Sequence, residues 1–86
     1  MSISDKTMLL KKVELEPMSA EEVLVNVYKS MKEKGYDPVA QIASYLVSGE
    51  PTYITSYNDA RNNIRRKERD ELIEELIKEY VKAKNL

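Results

Sequence analysis

No cysteine occurs among the 86 residues, which excludes disulfides, thiolate metal sites and cysteine nucleophiles. Histidine is absent too, and with it the commonest general base and the commonest metal ligand. The only glycines are Gly35 and Gly49, too few and too far apart for a phosphate-cradling loop of the GxxxxGK type. The carboxylates that remain read as the surface residues of amphipathic helices, with no distinguishable pair for acid–base work. These absences argue against an enzyme and imply neither cofactor nor metal. Long apolar runs are missing as well. Met8-Leu9-Leu10 is too short for a signal-peptide core or a membrane span, and Lys11-Lys12 follows at once, so no membrane insertion is expected and the expected location is the cytoplasm. A chain of this length makes one domain and buries only roughly 60 to 65 % of its unfolded surface, so stability is thin unless it dimerises.

What is present reads as helix. Residues 1–17 balance three acids against three bases, lack sustained periodicity and end at Pro17; the expectation is a flexible tail, with the helical domain in 18–86. Ser19 followed by Glu22 is a capping box, and Ala20, Val23, Leu24, Val27, Tyr28 and Met31 recur at helical spacing, predicting a helix over 20–34. Gly35 fits the left-handed position that ends it. Asp37-Pro38 reads as an N-cap followed by proline at the first helical position, predicting a second helix over 38–48 that buries Val39, Ile42, Ala43, Leu46 and Val47 and is closed by Gly49. Residues 50–56, with Pro51 and β-branched Thr52, Ile54 and Thr55, predict an irregular or single-turn connection.

The C-terminal third poses a geometric question. On one straight helix at about 100° per residue, Ala60 and Ile64 would lie roughly 170° from the mean direction of Leu72, Ile73, Leu76, Ile77, Tyr80 and Val81. One helix cannot bury both faces on one core. Either the helix breaks near 67–70, giving helices over 58–66 and 69–84, or a continuous helix is sandwiched between two subunits. The expected fold is therefore all-α, a compact bundle of about four short helices. The paired apolar positions of the last helix are wider than a single stripe; they fit either an intramolecular core or a homodimer.

Charge is concentrated in one place. Arg61, Arg65, Arg66, Lys67 and Arg69 face the single acid Glu68, in a chain whose net charge is -1. Such a block creates a local field, and guanidinium groups bind carboxylate and phosphate through paired hydrogen bonds. The bland alternative is a solvated face whose arginines pair with Asp59, Glu68, Asp70 and Glu71. Nucleic acid is a weaker option because the sequence pI is near 5.5, not basic.

The run Glu33-Lys34-Gly35-Tyr36-Asp37-Pro38, then Gln41-Ile42, Tyr45, Ser48-Gly49-Glu50-Pro51 and Tyr53, and above all Tyr57-Asn58-Asp59-Ala60-Arg61 with Ile64-Arg65-Arg66 and Glu68-Arg69-Asp70-Glu71, resembles the IreB family of small regulatory phosphoproteins of Gram-positive bacteria. The resemblance implies a helical homodimer without catalytic activity. It implies phosphorylation on an N-terminal threonine by a membrane-anchored Ser/Thr kinase that senses the cell wall, and reversal by a cognate phosphatase. It further implies control of peptidoglycan precursor synthesis through regulated proteolysis, with a protease system or its substrate enzyme as partner. The phosphoacceptor falls on Thr7, flanked by Asp5 and Met8; a second site falls on Ser4, where some members carry threonine. The arginine motif falls on Arg61, Arg65, Arg66 and Arg69, as the partner-binding residues. Thr55 and Ser56 stand where members commonly read Pro-Arg, so one cation of that surface is lost. A nucleic-acid-binding regulator using the same arginines is the alternative.

Overall fold

The computed structural model describes residues 18–86, so Thr7, Ser4 and the expected tail lie outside the described residues. Four α-helices follow one another: α1 (Ala20–Glu33), α2 (Pro38–Ser48), α3 (Ala60–Arg65) and α4 (Arg69–Lys84), with 3-10 turns at Pro51–Tyr53 and Tyr57–Asp59. No strand occurs among the described residues, and the fold is all-α.

The helix ends follow the capping chemistry of the sequence. Ser19 Oγ accepts from the Glu22 N–H at 3.1 Å while Glu22 Oε1 accepts from the Ser19 N–H at 2.8 Å, pairing two of the donors that every helix start leaves over. These bonds, the main-chain one first, hold the Glu22 carboxyl below its ordinary pKa. At the other end Gly35 takes a φ of 82°, Tyr36 N–H donates to Met31 O at 2.9 Å and Gly35 N–H to Lys32 O at 3.0 Å, the two bonds of a Schellman ending. Asp37 Oδ1 accepts from the Ala40 N–H at 3.2 Å and starts α2 behind Pro38.

α1 is the central element, packed against α2, α3 and α4. Its Val23, Val27 and Met31 are fully buried together with Ile54, Ala60, Ile64 and Leu72. Helix stops at Arg65, Glu68 is extended, and helix resumes at Arg69, so 58–84 is two helices; Ile64 of α3 and Leu72 of α4, about 80° apart on a straight helix, both enter this core. α3 is shorter than expected because Asn58 and Asp59 are left-handed, with φ of 56° and 61°, and cannot begin an α-helix.

Two expected faces are only partly buried. In α2 the buried residue is Tyr45; Ile42 and Leu46 are half-buried, and Val39 and Val47 are 71% and 86% exposed. The reason is rotational: α2 meets the core along the Tyr45 edge and turns the rest of its apolar side outward. In α4 only Leu72 is buried, and Ile73, Leu76, Ile77, Tyr80 and Val81 remain exposed.

Candidate functional site

The arginine segment is assembled by a turn with little freedom. Glu50 Oε1 accepts from the N–H and hydroxyl of Thr52 at 3.2 and 3.1 Å, setting the first 3-10 turn, and Gln41 Nε2 ties that turn to α2 through Tyr53 O at 3.0 Å. Ile54 is then fully buried, and the Thr55 N–H reaches the Met31 sulfur at 3.2 Å. The left-handed pair Asn58-Asp59 redirects the chain into α3. Two consecutive non-glycine residues in this region are tolerated here because both are Asx residues, which enter it more readily than other side chains. Asn58 Nδ2 donates to Ser30 Oγ at 3.4 Å, and Asp59 Oδ1 accepts from Asn62 Nδ2 at 2.9 Å. Outside this knot the Lys34 ammonium lies 5.1 Å over the Tyr57 ring.

A polar seam locks α3 to α1. Asn63 is buried and donates from Nδ2 to Asn26 Oδ1 at 3.0 Å, and the buried Ser30 hydroxyl donates to Asn26 O at 2.8 Å. None of the buried side-chain polar atoms among the described residues lacks a partner. The sequence reading missed this seam. Its signal is the spacing Val23, Val27, Ser30: the serine falls on the buried stripe of α1, where a polar residue needs a partner from another element.

The four arginines then separate by environment. Arg61 is half-buried, and its Nε donates to Ile54 O at 2.8 Å. Arg69 is exposed as well but lays its guanidinium on the end of α2, with Nη1 3.1 Å from Leu46 O and 3.5 Å from Val47 O. Arg66 is exposed and makes a loose pair with Asp59 at 3.8 Å. Arg65 is exposed, and its side chain has neither an ion pair nor a hydrogen bond to another described residue. Of the pairings named by the solvated-face alternative, the one with Asp59 forms, through Arg66, and those with Glu68, Asp70 and Glu71 do not among the described residues, where the one other ion pair is Lys82–Glu79. Arg65 and Arg66 keep their guanidinium planes available to an oxyanion.

Elsewhere on the surface an apolar groove of about 390 Å³ runs between α1, α2 and α4, lined by Leu24, Val25 and Tyr28, by Ile42 and Leu46, and by Leu76. Of the side chains left out of the core it takes Val39 and Ala43 of α2 and Leu76 of α4. Among the described residues no helix is long and apolar enough to cross a membrane, and no three carboxylates are grouped to hold a metal ion.

Fold and surface together define a small all-α domain with an arginine-bearing turn and an open apolar groove. Residues 5–82 match the family described as IreB regulatory phosphoprotein, and the chain belongs to that family. It is 49% identical over 80 residues to a UPF0297 protein of Acetivibrio thermocellus, an alignment covering 92% of this chain and 89% of that one. A UPF0297 protein of Ruminiclostridium cellulolyticum is 47% identical over 81 residues, covering 94% of this chain and 92% of its own.

Proposed function

We propose that this regulatory phosphoprotein is a non-enzymatic, homodimeric adaptor of the cytoplasm, switched by phosphorylation of Thr7. A membrane-anchored Ser/Thr kinase that senses the cell wall adds the phosphate and a cognate phosphatase removes it. The output is control of peptidoglycan precursor synthesis through regulated proteolysis, and with it tolerance to wall-active antibiotics. The segment holding Arg61, Arg65, Arg66 and Arg69 engages the protease system or its substrate enzyme. The observation that carries this reading is the extent of the family match, which begins at residue 5 and so takes in Thr7 together with the whole arginine segment. Ser4, the second candidate acceptor, falls just outside it.

Two features support the parts. Exposed, unneutralised Arg65 suits an acidic or phosphorylated surface, where charge-assisted bonds are about twice as strong as neutral ones. The groove beside the uncovered α4 face suits a second copy, because a chain this short leaves too much apolar surface in water when alone. The test is phosphorylation of the purified chain by the kinase's catalytic domain, with site mapping by mass spectrometry. Incorporation at Thr7 that disappears in Thr7→Ala is the expected result. Capture from lysate by wild type, Thr7→Ala and Thr7→Glu then compares recovery of the protease system or its substrate enzyme. Equal recovery by all three sinks the switch, and unchanged incorporation in Thr7→Ala sinks the acceptor.

A further inference from the structure

Arg69 occupies the first position of α4, where its charge opposes the helix's own dipole; acids are favoured there, as Asp70 and Glu71 beside it are. What offsets this is the neighbouring helix. The guanidinium reaches Leu46 O at 3.1 Å and Val47 O at 3.5 Å, two carbonyls of the last turn of α2. Such carbonyls have no partner within their own helix and sit at its negative end. No lysine, arginine or histidine of α2 itself is available to serve them, since its last turn holds no basic residue.

The approach depends on Gly49. A Cβ at this position would lie 2.9 Å from Arg69 Cζ and 3.1 Å from both terminal nitrogens; since these are the far end of a flexible side chain, the guanidinium would swing off its seat rather than strain the backbone. Glycine here therefore does two jobs. It adopts the left-handed φ of 75° that ends α2, and it leaves the flat space on which the guanidinium rests.

We infer that Arg69 is a positioning residue: a clasp, seated on Gly49, that caps α2 from α4 and sets the direction of α4 against α2, and so the shape of the groove between Leu46 and Leu76. Within the arginine segment it acts on the protein itself, leaving Arg65 and Arg66 as the outward pair. The division of labour rests on the docking role proposed above; the clasp does not, and it is tested without any partner.

The experiment is a double-mutant cycle on the full chain, read as the urea unfolding midpoint at fixed protein concentration. Gly35→Ala is the control, since Gly35 has a similar φ of 82° but nothing within 4 Å of an added Cβ. Gly49→Ala is expected to lower the midpoint more than Gly35→Ala does, and to lose that excess in the Arg69→Ala background. Arg69→Lys, which keeps a charged donor, is expected to recover part of the loss caused by Arg69→Ala. By NMR, amide signals of residues 46–50 and the Leu76 methyl signals are expected to move in Gly49→Ala and Arg69→Lys and to stay in place in Arg65→Ala. An additive cycle overturns the clasp. So do signals of residues 46–50 that are indifferent to Arg69→Lys, a reading that survives even if Arg69→Ala does not fold.

Discussion

Asn63 and Arg65 lie two positions apart on a six-residue helix and differ in every physical respect. The amide of Asn63 is buried and supplies the donor for Asn26 Oδ1, so Asn63→Ala leaves an acceptor in the interior without its partner. The expected loss is about 1–3 kcal/mol, measured by urea unfolding. Arg65→Ala removes an exposed side chain that bonds to no described residue, and stability is expected to stay within about 0.5 kcal/mol of wild type. If Arg65 is instead a docking residue, its loss shows in partner capture alone. Phosphorylation of Thr7 supplies a second readout at this scale: if the phosphate visits the outward arginines, the Nε signals of Arg65 or Arg66 shift on modification, and those of Arg61, already bonded to Ile54 O, move less.

At the scale of elements, the start of α1 is sensitive to pH in a defined direction. The folded-state pKa of Glu22 is depressed, so the stabilisation its carboxylate brings is fully present above the ordinary carboxylate value and is lost as pH falls through the lowered folded one. Acidification is therefore expected to fray residues 19–22 before the core opens, seen as early loss of their amide protection, and Ser19→Ala is expected to produce the same fraying at neutral pH at about 1 kcal/mol. These ends were legible in the sequence because capping is local: Ser19 and Glu22, Gly35, Asp37-Pro38 and Gly49 each act within a turn of chain. The break before Arg69 was one of two solutions left open by the sequence, since on a straight helix Ala60 and Ile64 lie roughly 170° from the mean direction of the apolar positions of 72–81. What could not be read was rotation. Tyr45 rather than Val39 or Val47 faces the core because α1 and the Ile54 loop approach α2 from that side, a choice made by distant residues. The polar seam and the seat of Arg69 on α2 were hidden for the same reason: Asn26 meets Asn63 and Arg69 meets Leu46 only once the chain is folded.

For the whole molecule, the uncovered side of α4 and the groove beside it set the expected behaviour in solution. Leu76→Glu places a charge in the groove without touching the buried core, so helix content by circular dichroism is expected to persist while light scattering falls from the mass of a dimer to that of a monomer. A wild type of monomeric mass would remove the basis for that reading. The pentapeptide Tyr57-Asn58-Asp59-Ala60-Arg61 bears on something else, the use of sequence as a label. Every member has a task inside the fold: Tyr57 lies under Lys34, Asn58 and Asp59 hold the left-handed bend, Ala60 is buried and Arg61 closes on Ile54. In this chain the five letters are thereby accounted for by the turn they build. Such a motif spells a bend, so any change at Arg65 or in the groove leaves every one of its letters as it stands.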